Sequence, residues 1–424
     1  MPEEPRGPEL GLGVREDAGI LPVSDDALVV QTAPVAAPTT PWEWARQNLF
    51  SGWVNTLISI VSAVFVAFVI YQLGRFLLVT GEWEIIRRFL RGYMVGSFPE
   101  EELWRVWACI YFVAALAGLS AGTARYRARR TLRRAIVALV IAVAALTFLL
   151  FAVKTPLVWG LIAVTGVVLV AGMTVGRALG YRRLRRSLLW GWIVAFPLVI
   201  VIIRFVGDGV APRFWEGFFF NVIAAVVGIF ASFPLGILLA LGRRSTLPGV
   251  RVISVGFIEL FRGVPLVAWL VFSKYVVDLL LPPQMDLPDI IKAFVAMTLF
   301  SAAYVAEIVR GGLQGVDAGQ YEAGRALGLS TPRLMALVIL PQALRSTIPA
   351  MISHFISLFK DTSLFTAIEV TELLSAARRS SSALEFIGTN MEPLLFASLV
   401  FWIVAFSMAR WSQRLELRLG VGER

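Results

Sequence analysis

The sequence holds one cysteine, Cys109, and one histidine, His354, among 424 residues. A lone cysteine closes no intramolecular disulfide, and one Cys with one His cannot complete the ligand set of a zinc site, so metal and disulfide chemistry do not organise this chain. Both residues sit in apolar stretches and are expected to pack among helices; no cofactor is expected. Lysine occurs only at 154, 274, 292 and 360, never after a glycine, so the Gly-Lys pair of a phosphate-cradling P-loop is missing. HExxH and GxSxG are missing as well, which leaves no enzyme signature. Charge is scarce: 16% of residues are charged and 58% hydrophobic, whereas soluble domains carry about a quarter charged.

What remains is apolar runs. A crossing of roughly 30 Å of hydrocarbon needs about 20 mostly apolar residues. Such runs appear near 53–79, 104–122, 135–153, 157–176, 189–206, 218–242, 252–281, 290–310, 348–370 and 394–410. The expectation is an all-α polytopic transmembrane bundle of about ten spans. Net charge is +10, but the arginines cluster in short connections, at 125–134, 177–186 and 243–251, as the positive-inside rule expects of cytoplasmic loops. Membrane lipid, and no nucleic acid, is the partner this implies. The rule places both termini in the cytoplasm; Arg87, Arg88 and Arg91 argue against it, with Glu82 and Glu84 nearby.

Residues 1–50, rich in Pro, Ala, Gly and acids, read as a disordered cytoplasmic tail. No basic start followed by an apolar core marks a secretory signal, so the first span is expected to serve as an uncleaved insertion signal. Residues 51–210 hold five plain apolar spans joined by Arg-rich connections. From 211 to 412 the spans carry Pro, Gly and ionisable residues, and 413–424 form a tail. Function is expected in the second half, with the first five spans packing around it. Replacing the first 200 residues is expected to leave that function partly intact.

The stretch 320–342 is too polar to cross a bilayer. Glu322 to Leu327 read as a short helix that Gly328 ends in a left-handed conformation. Ser330 can cap a second helix with Pro332 in its first turn, and Pro341 bends the chain toward the next span. A helix-turn-helix with apolar Ala326, Leu327, Leu334, Leu337 and Val338 suits a groove on a soluble partner, and equally an interfacial helix on lipid.

Glu322, Ala323, Gly328, Leu340 and Pro341 resemble, in spacing, the coupling loop of permeases of bacterial binding-protein-dependent ABC importers. Gly324 and Val338 stand where that pattern has Ala and Ile. The resemblance extends to the polar amino acid branch through 258–265 (IELFRGVP), 303–312 (AYVAEIVRGG), 340–345 (LPQALR) and 359–364 (FKDTSL), and covers about 218–412. With its long N-terminal extension the chain is similar to the larger permeases of the general L-amino acid or glutamate/glutamine/aspartate/asparagine systems.

The resemblance implies an inner-membrane, non-enzymatic permease subunit that translocates polar L-amino acids. Its implied partners are a second permease, likewise a membrane subunit of a heterodimer, two cytoplasmic ABC ATPase subunits and a periplasmic amino-acid-binding protein. The coupling loop, at about 312–346, would enter the ATPase groove, with Glu322 the polar contact and Gly328 the turn. Ionisable residues at membrane depth are costly and face the bundle interior or water, which directs attention to Glu259, Arg262, Lys360, Asp361 and Glu369. Thr362, Ser363 and the break at 263–265 are further candidates for the pathway, because an amino acid needs a donor and an acceptor near unwound helix. Glu307 and Arg310, at i, i+3 spacing, read as a structural ion pair, and Glu259 with Arg262 likewise. The alternative is an ion-gradient-driven secondary transporter, which should show an internal repeat; none is visible.

Overall fold

In the computed structural model residues 40–123, 156–282 and 287–419 are described, and the chain divides into two compact units, 1–80 and 81–424. In the first unit the tail expected to stay irregular to residue 50 becomes helical earlier. Thr40 and Glu43 form a reciprocal cap, Glu43 N–H donating to Thr40 Oγ1 at 3.3 Å and Thr40 N–H to Glu43 Oε2 at 3.0 Å. That cap and a first-turn proline start α1 (Pro41–Asn48). Next comes α2 (Trp53–Arg75), apolar on every face and with no side chain buried, as suits a helix that spans lipid.

The second unit contains α3 (Glu84–Val95), α4 (Leu103–Thr123), α5 (Pro156–Arg204), α6 (Gly217–Arg243), α7 (Pro248–Gly263), α8 (Leu266–Tyr275), α9 (Asp289–Gln314), α10 (Ala318–Ala326), α11 (Leu340–Asp361), α12 (Leu373–Ser380) and α13 (Met391–Leu419), with shorter turns between. Among the described residues there is no strand, only one isolated bridge between Gly217 and Glu372.

Among the described residues seven helices are long and apolar enough to cross a membrane, and α7 with α8, bent by 101°, form an eighth candidate. At 49 residues α5 would measure about 73 Å, more than twice the hydrocarbon thickness. Gly180 breaks it with φ 72°, a left-handed value that glycine tolerates, and so α5 supplies two spans. Nine of the ten expected spans are thus present, and the tenth, 135–153, lies outside the described residues.

Close packing between α4 and α5 rests on missing side chains. A Cβ on Gly118 would lie 2.4 Å from Leu169 O, and one on Gly176 2.4 Å from Leu119 O. In lipid, where apolar burial drives little association, such backbone approach is the main source of helix affinity. Arg105, 3% exposed, holds the end of α5: its guanidinium donates to Ile202 O at 2.9 Å, to Val206 O and to Glu102. Ile202 O belongs to the last turn of the helix, which has no intrahelical donor left for it, and Val206 O lies just past its end.

The extension does more than surround the rest. Amphipathic α3 buries Ile85, Ile86 and Tyr93 against Leu373, Ala376, Ala377, Phe396 and Val400 of α12 and α13. Tyr93 Oη donates to Ser380 Oγ at 2.6 Å. Arg87, Arg88 and Arg91, the residues at odds with the charge rule, pair with Glu84, Glu385 and Glu100. At the centre lies α9, which buries Ala293, Met297, Ala302, Ala303, Val305, Ala306 and Val309 against α6, α7, α8 and α11.

Candidate functional site

The segment after α9 folds as two short helices. Asp317 caps α10, its Oδ1 accepting from Gly319 N–H at 2.6 Å. Gly328 ends that turn with φ 74°, and Leu329 N–H returns to Gly324 O at 3.1 Å. Ser330 occupies the cap position of the next helix, but its side chain makes no capping bond, contrary to the sequence expectation. Gly324 is buried, and a Cβ there would meet Leu334 Cδ1 at 2.2 Å, so the departure from the Ala of the resembling pattern is filled by Leu334.

Pro341 does not turn the chain aside. Residues Thr331–Leu334 continue through a π-helical turn, Met335–Ile339, straight into α11. The wider turn lets Leu340 N–H reach Met335 O and so accommodates a proline that can neither donate nor tolerate the usual carbonyl four residues back. Glu322, Ala323, Leu327, Gly328 and Leu337 are exposed, whereas Leu334 is buried and Val338 half-buried. The surface offered outward is therefore Glu322, Ala326, Leu327 and Leu337, with Leu334 and Val338 withdrawn from the apolar set expected.

At the same end of the bundle charges from three helices meet. Glu307 does pair with Arg310, whose Nε donates to Oε1 at 2.8 Å. Glu259 and Arg262 do not pair with each other. Glu259 accepts from Arg243 Nη1 at 3.1 Å, and Arg262 lies 3.6 Å from Glu307 Oε2. Arg243 Nη1 also donates to Glu307 Oε2 at 3.4 Å. Spacing within one helix gave the wrong pairing because the better partners project from neighbouring helices. Arg243 is the last residue of α6 and Glu307 lies about 10 Å short of the end of α9, so the cluster sits toward the loop end and not at mid-depth.

Two spans are discontinuous. Between α7 and α8 the chain bends by 101° at 264–265, where proline removes a donor. After Asp361 the α-helix gives way to a 3-10 turn, Thr362–Ile368, ending in Glu369 at φ 64°. The far end of α8 is tied to the end of that turn: Lys274 Nζ donates to Ile368 O at 2.9 Å and to Glu369 Oε2 at 2.6 Å. Lys292, 5% exposed, clasps Asp278 at 2.7 Å and Asp289 at 2.8 Å.

Thr362 is fully buried and faces inward. Its Oγ1 donates to Phe359 O at 2.6 Å and accepts from Asn221 Nδ2 at 3.0 Å. Asn221 Oδ1 accepts from Leu373 N–H at 3.0 Å, and its Nδ2 lies 3.3 Å from Glu372. Glu372 caps α12 by accepting from the backbone N–H groups of Leu374 and Ser375. Burial pushes its carboxyl above the usual range, against the hydrogen bonds that favour the charged form. Asn221 and Glu372 escape sequence reasoning because their partners are up to 152 residues away. A lone Asn in an apolar span was the available signal.

One face of α11 differs from those of the other spans. Its exposed residues are Pro341, Gln342, Arg345, Ser346, Ala350, Ser353, Ser357 and Lys360. Residues 346, 350, 353, 357 and 360 alternate steps of four and three, which makes a single stripe along the helix. By contrast, α13 exposes Leu399, Trp402, Phe406 and Trp411. Asp361 and Ser363 are half-buried beside the end of the stripe. His354 lies inward of it, its Nε2 2.9 Å from Ser301 Oγ, which in turn donates to Ser232 Oγ at 2.9 Å.

The family model described as binding-protein-dependent transport system inner membrane component matches residues 232–421. The inner membrane amino-acid ABC transporter permease protein YhdY of Escherichia coli (strain K12) is 34% identical over 393 residues, covering 89% of this chain and 93% of that protein. The glutamate/glutamine/aspartate/asparagine transport system permease protein BztC of Rhodobacter capsulatus is 31% identical over 436 residues, covering 94% of this chain and 98% of that protein. A solved amino acid ABC transporter crystallised with histidines is 26% identical over 47% of this chain and 90% of its own, with a TM-score of 0.42. Neither the family match nor these relatives supports a gradient-driven carrier. Helices enough for a multi-pass fold, and relatives matched over nearly their whole length, lead to one conclusion: the chain belongs to the inner-membrane permease components of binding-protein-dependent ABC transport systems, and is not itself the ATPase.

Proposed function

We propose that this subunit carries polar L-amino acids inward across the bacterial inner membrane, and that the polar face of α11 is its share of the pathway wall. The observation that carries the reading is that no large apolar residue is exposed between Leu337 and Leu384, although α11 is long and apolar enough to span. Polar side chains facing hydrocarbon are costly, so this face suits water, a substrate or another subunit. The names of the relatives point to the cargo class: amino acids for YhdY, and glutamate, glutamine, aspartate and asparagine for BztC.

In this reading Lys360 attracts the substrate carboxylate and Asp361 its ammonium, beside the unwound turn at Thr362–Ile368. Thr362 holds the turn through Asn221, with Ser363 beside it. Glu259 and Arg262 guard the exit at the loop end. A second, different permease closes the pathway. The loop with Glu322, Ala323, Gly324, Gly328, Val338, Leu340 and Pro341 docks on cytoplasmic ATPases, a binding protein delivers from the periplasm, and both termini lie in the cytoplasm.

Uptake of labelled glutamate, glutamine and arginine into proteoliposomes containing the whole complex tests the wall assignment. Lys360→Gln is expected to raise KM for the acidic substrate about tenfold, the order of one lost charge-assisted contact. Unchanged KM for every substrate would remove Lys360 from the pathway.

A further inference from the structure

The loop end of the bundle holds two sets of polar contacts, joined through the backbone of Arg243 and Arg244, that run from α10 to the break in the α7–α8 span. The first begins at Tyr321, next to Glu322. Arg244 Nη1 donates to Tyr321 Oη at 3.1 Å and to Leu313 O at 3.4 Å, and Tyr321 Oη donates to Leu313 O at 3.3 Å. Tyr321 thereby ties α10 to the adjacent ends of α6 and α9. The residue before Arg244 is Arg243, whose single Nη1 bridges Glu259 on α7 and Glu307 on α9. Glu307 Oε2 is shared in turn with Arg262, which immediately precedes Gly263, where α7 ends.

Two features make these contacts switchable rather than a static brace. First, one nitrogen serves two carboxylates on different helices and one carboxylate oxygen serves two guanidiniums, so sliding α7 past α9 must exchange partners. The charges are partly exposed, with 23% to 57% of each side chain accessible, so exchange with water is cheap. Second, Arg262 Nε is buried without a hydrogen-bond partner, while its guanidinium lies 5.7 Å from the Tyr304 ring centre. A buried donor left unmet is a cost that another arrangement of the same helices can relieve.

We infer that Arg243, with Arg244 and Tyr321, is a positioning relay that passes movement of the docking helix α10 to the α7–α8 break by exchanging Arg243 between Glu259 and Glu307. The inference rests on the reading of the loop as the ATPase-docking element. It assigns work to Arg243, Arg244 and Tyr321, none of which is among the exposed residues of α11 or the docking residues named for the loop. Rigid elements with two discrete arrangements are what carries coupling between distant sites.

The test uses the complete complex in proteoliposomes, with substrate moved per ATP hydrolysed and the stimulation of ATP hydrolysis by the binding protein as readouts. Arg243→Gln and Tyr321→Phe are each expected to lower both ratios about tenfold, within the 5- to 150-fold span of known site-to-site couplings, while the ATPase still co-purifies. The double variant is expected to be no worse than the poorer single one, because both act on one route. Arg243→Lys, which keeps the charge but loses the planar guanidinium and its reach, is expected to recover only part of the loss. The inference is overturned if assembled variants keep both ratios, or if their effects multiply as independent defects, or if only the amount of assembled complex falls. A wild-type complex that moves none of the tested amino acids would instead strike the cargo assignment, and the ATPase stimulation ratio would still judge the relay.

Discussion

Replacing Asn221 with alanine should cost more than any other conservative truncation at the broken end of α11. Asn221 is fully buried and serves three partners: Leu373 N–H at 3.0 Å, Thr362 Oγ1 at 3.0 Å and Glu372 at 3.3 Å. Only one of the three is orphaned by its removal. Thr362 still donates to Phe359 O, and Glu372 still accepts from Leu374 and Ser375, whereas Leu373 N–H has no other acceptor in the network. An unsatisfied buried amide costs about 1–3 kcal/mol, and each of the other two bonds about 1 kcal/mol, so the whole is about 3–5 kcal/mol. Thr362→Val removes two bonds, to Phe359 O and from Asn221 Nδ2, but orphans nothing completely, since Phe359 O keeps the Thr362 backbone N–H and Asn221 Nδ2 keeps Glu372; about 2 kcal/mol is expected. Denaturation of the purified protein in detergent, followed in parallel for both variants, measures the difference. Equal losses, or a larger loss for Thr362→Val, would refute the assignment of Asn221 as the hub of this network.

Three further outcomes follow from the same geometry. Glu372 is protonated more readily in the folded protein than its ordinary 4.5 allows. Its contribution is therefore fully present below that value and is lost as pH rises toward the raised folded value, so stability from pH 4.5 upward should fall less steeply in Glu372→Gln than in wild type, as denaturation at stepped pH would show. Gly328→Ala places a Cβ on a residue at φ 74°, in open space, and should destabilise the loop by about 1 kcal/mol and weaken ATPase co-purification without a steric clash. Deleting residues 84–95 should lower the yield of assembled complex, because Leu373, Ala377 and Phe396 lose their cover and Ser380 its bond from Tyr93; a normal yield would return the extension to the dispensable role expected from sequence.

The features legible in the sequence are those written locally. Apolar run length marks the spans, Pro265 marks the bend of 101°, and Gly328 marks a left-handed turn because few other residues tolerate one. Glu307 with Arg310 was visible for the same reason, both lying on one helix face. Contacts between helices were not legible. Glu259 and Arg262 have the spacing of a pair yet find Arg243 and Glu307, because two rigid neighbours offered better geometry than one turn of their own helix. Arg105 holds the carbonyls of Ile202 and Val206 at the end of α5, about a hundred residues away, and nothing in its local sequence names them. The irregular turn at Thr362–Ile368 was hidden because its sequence is as apolar as the helix before it, and it is Asn221 and Lys274, from α6 and α8, that hold it.

The most direct test of the transport account compares wild type with Glu322→Ala in vesicles bearing the whole complex, with ATP inside and ionophores collapsing every ion gradient. Uptake of polar amino acids that requires ATP, survives the ionophores and disappears in the variant along with the bound ATPase is the expected result. Uptake that the ionophores abolish while Glu322→Ala behaves as wild type would contradict it, and would make the exposed loop at Glu322 a bystander.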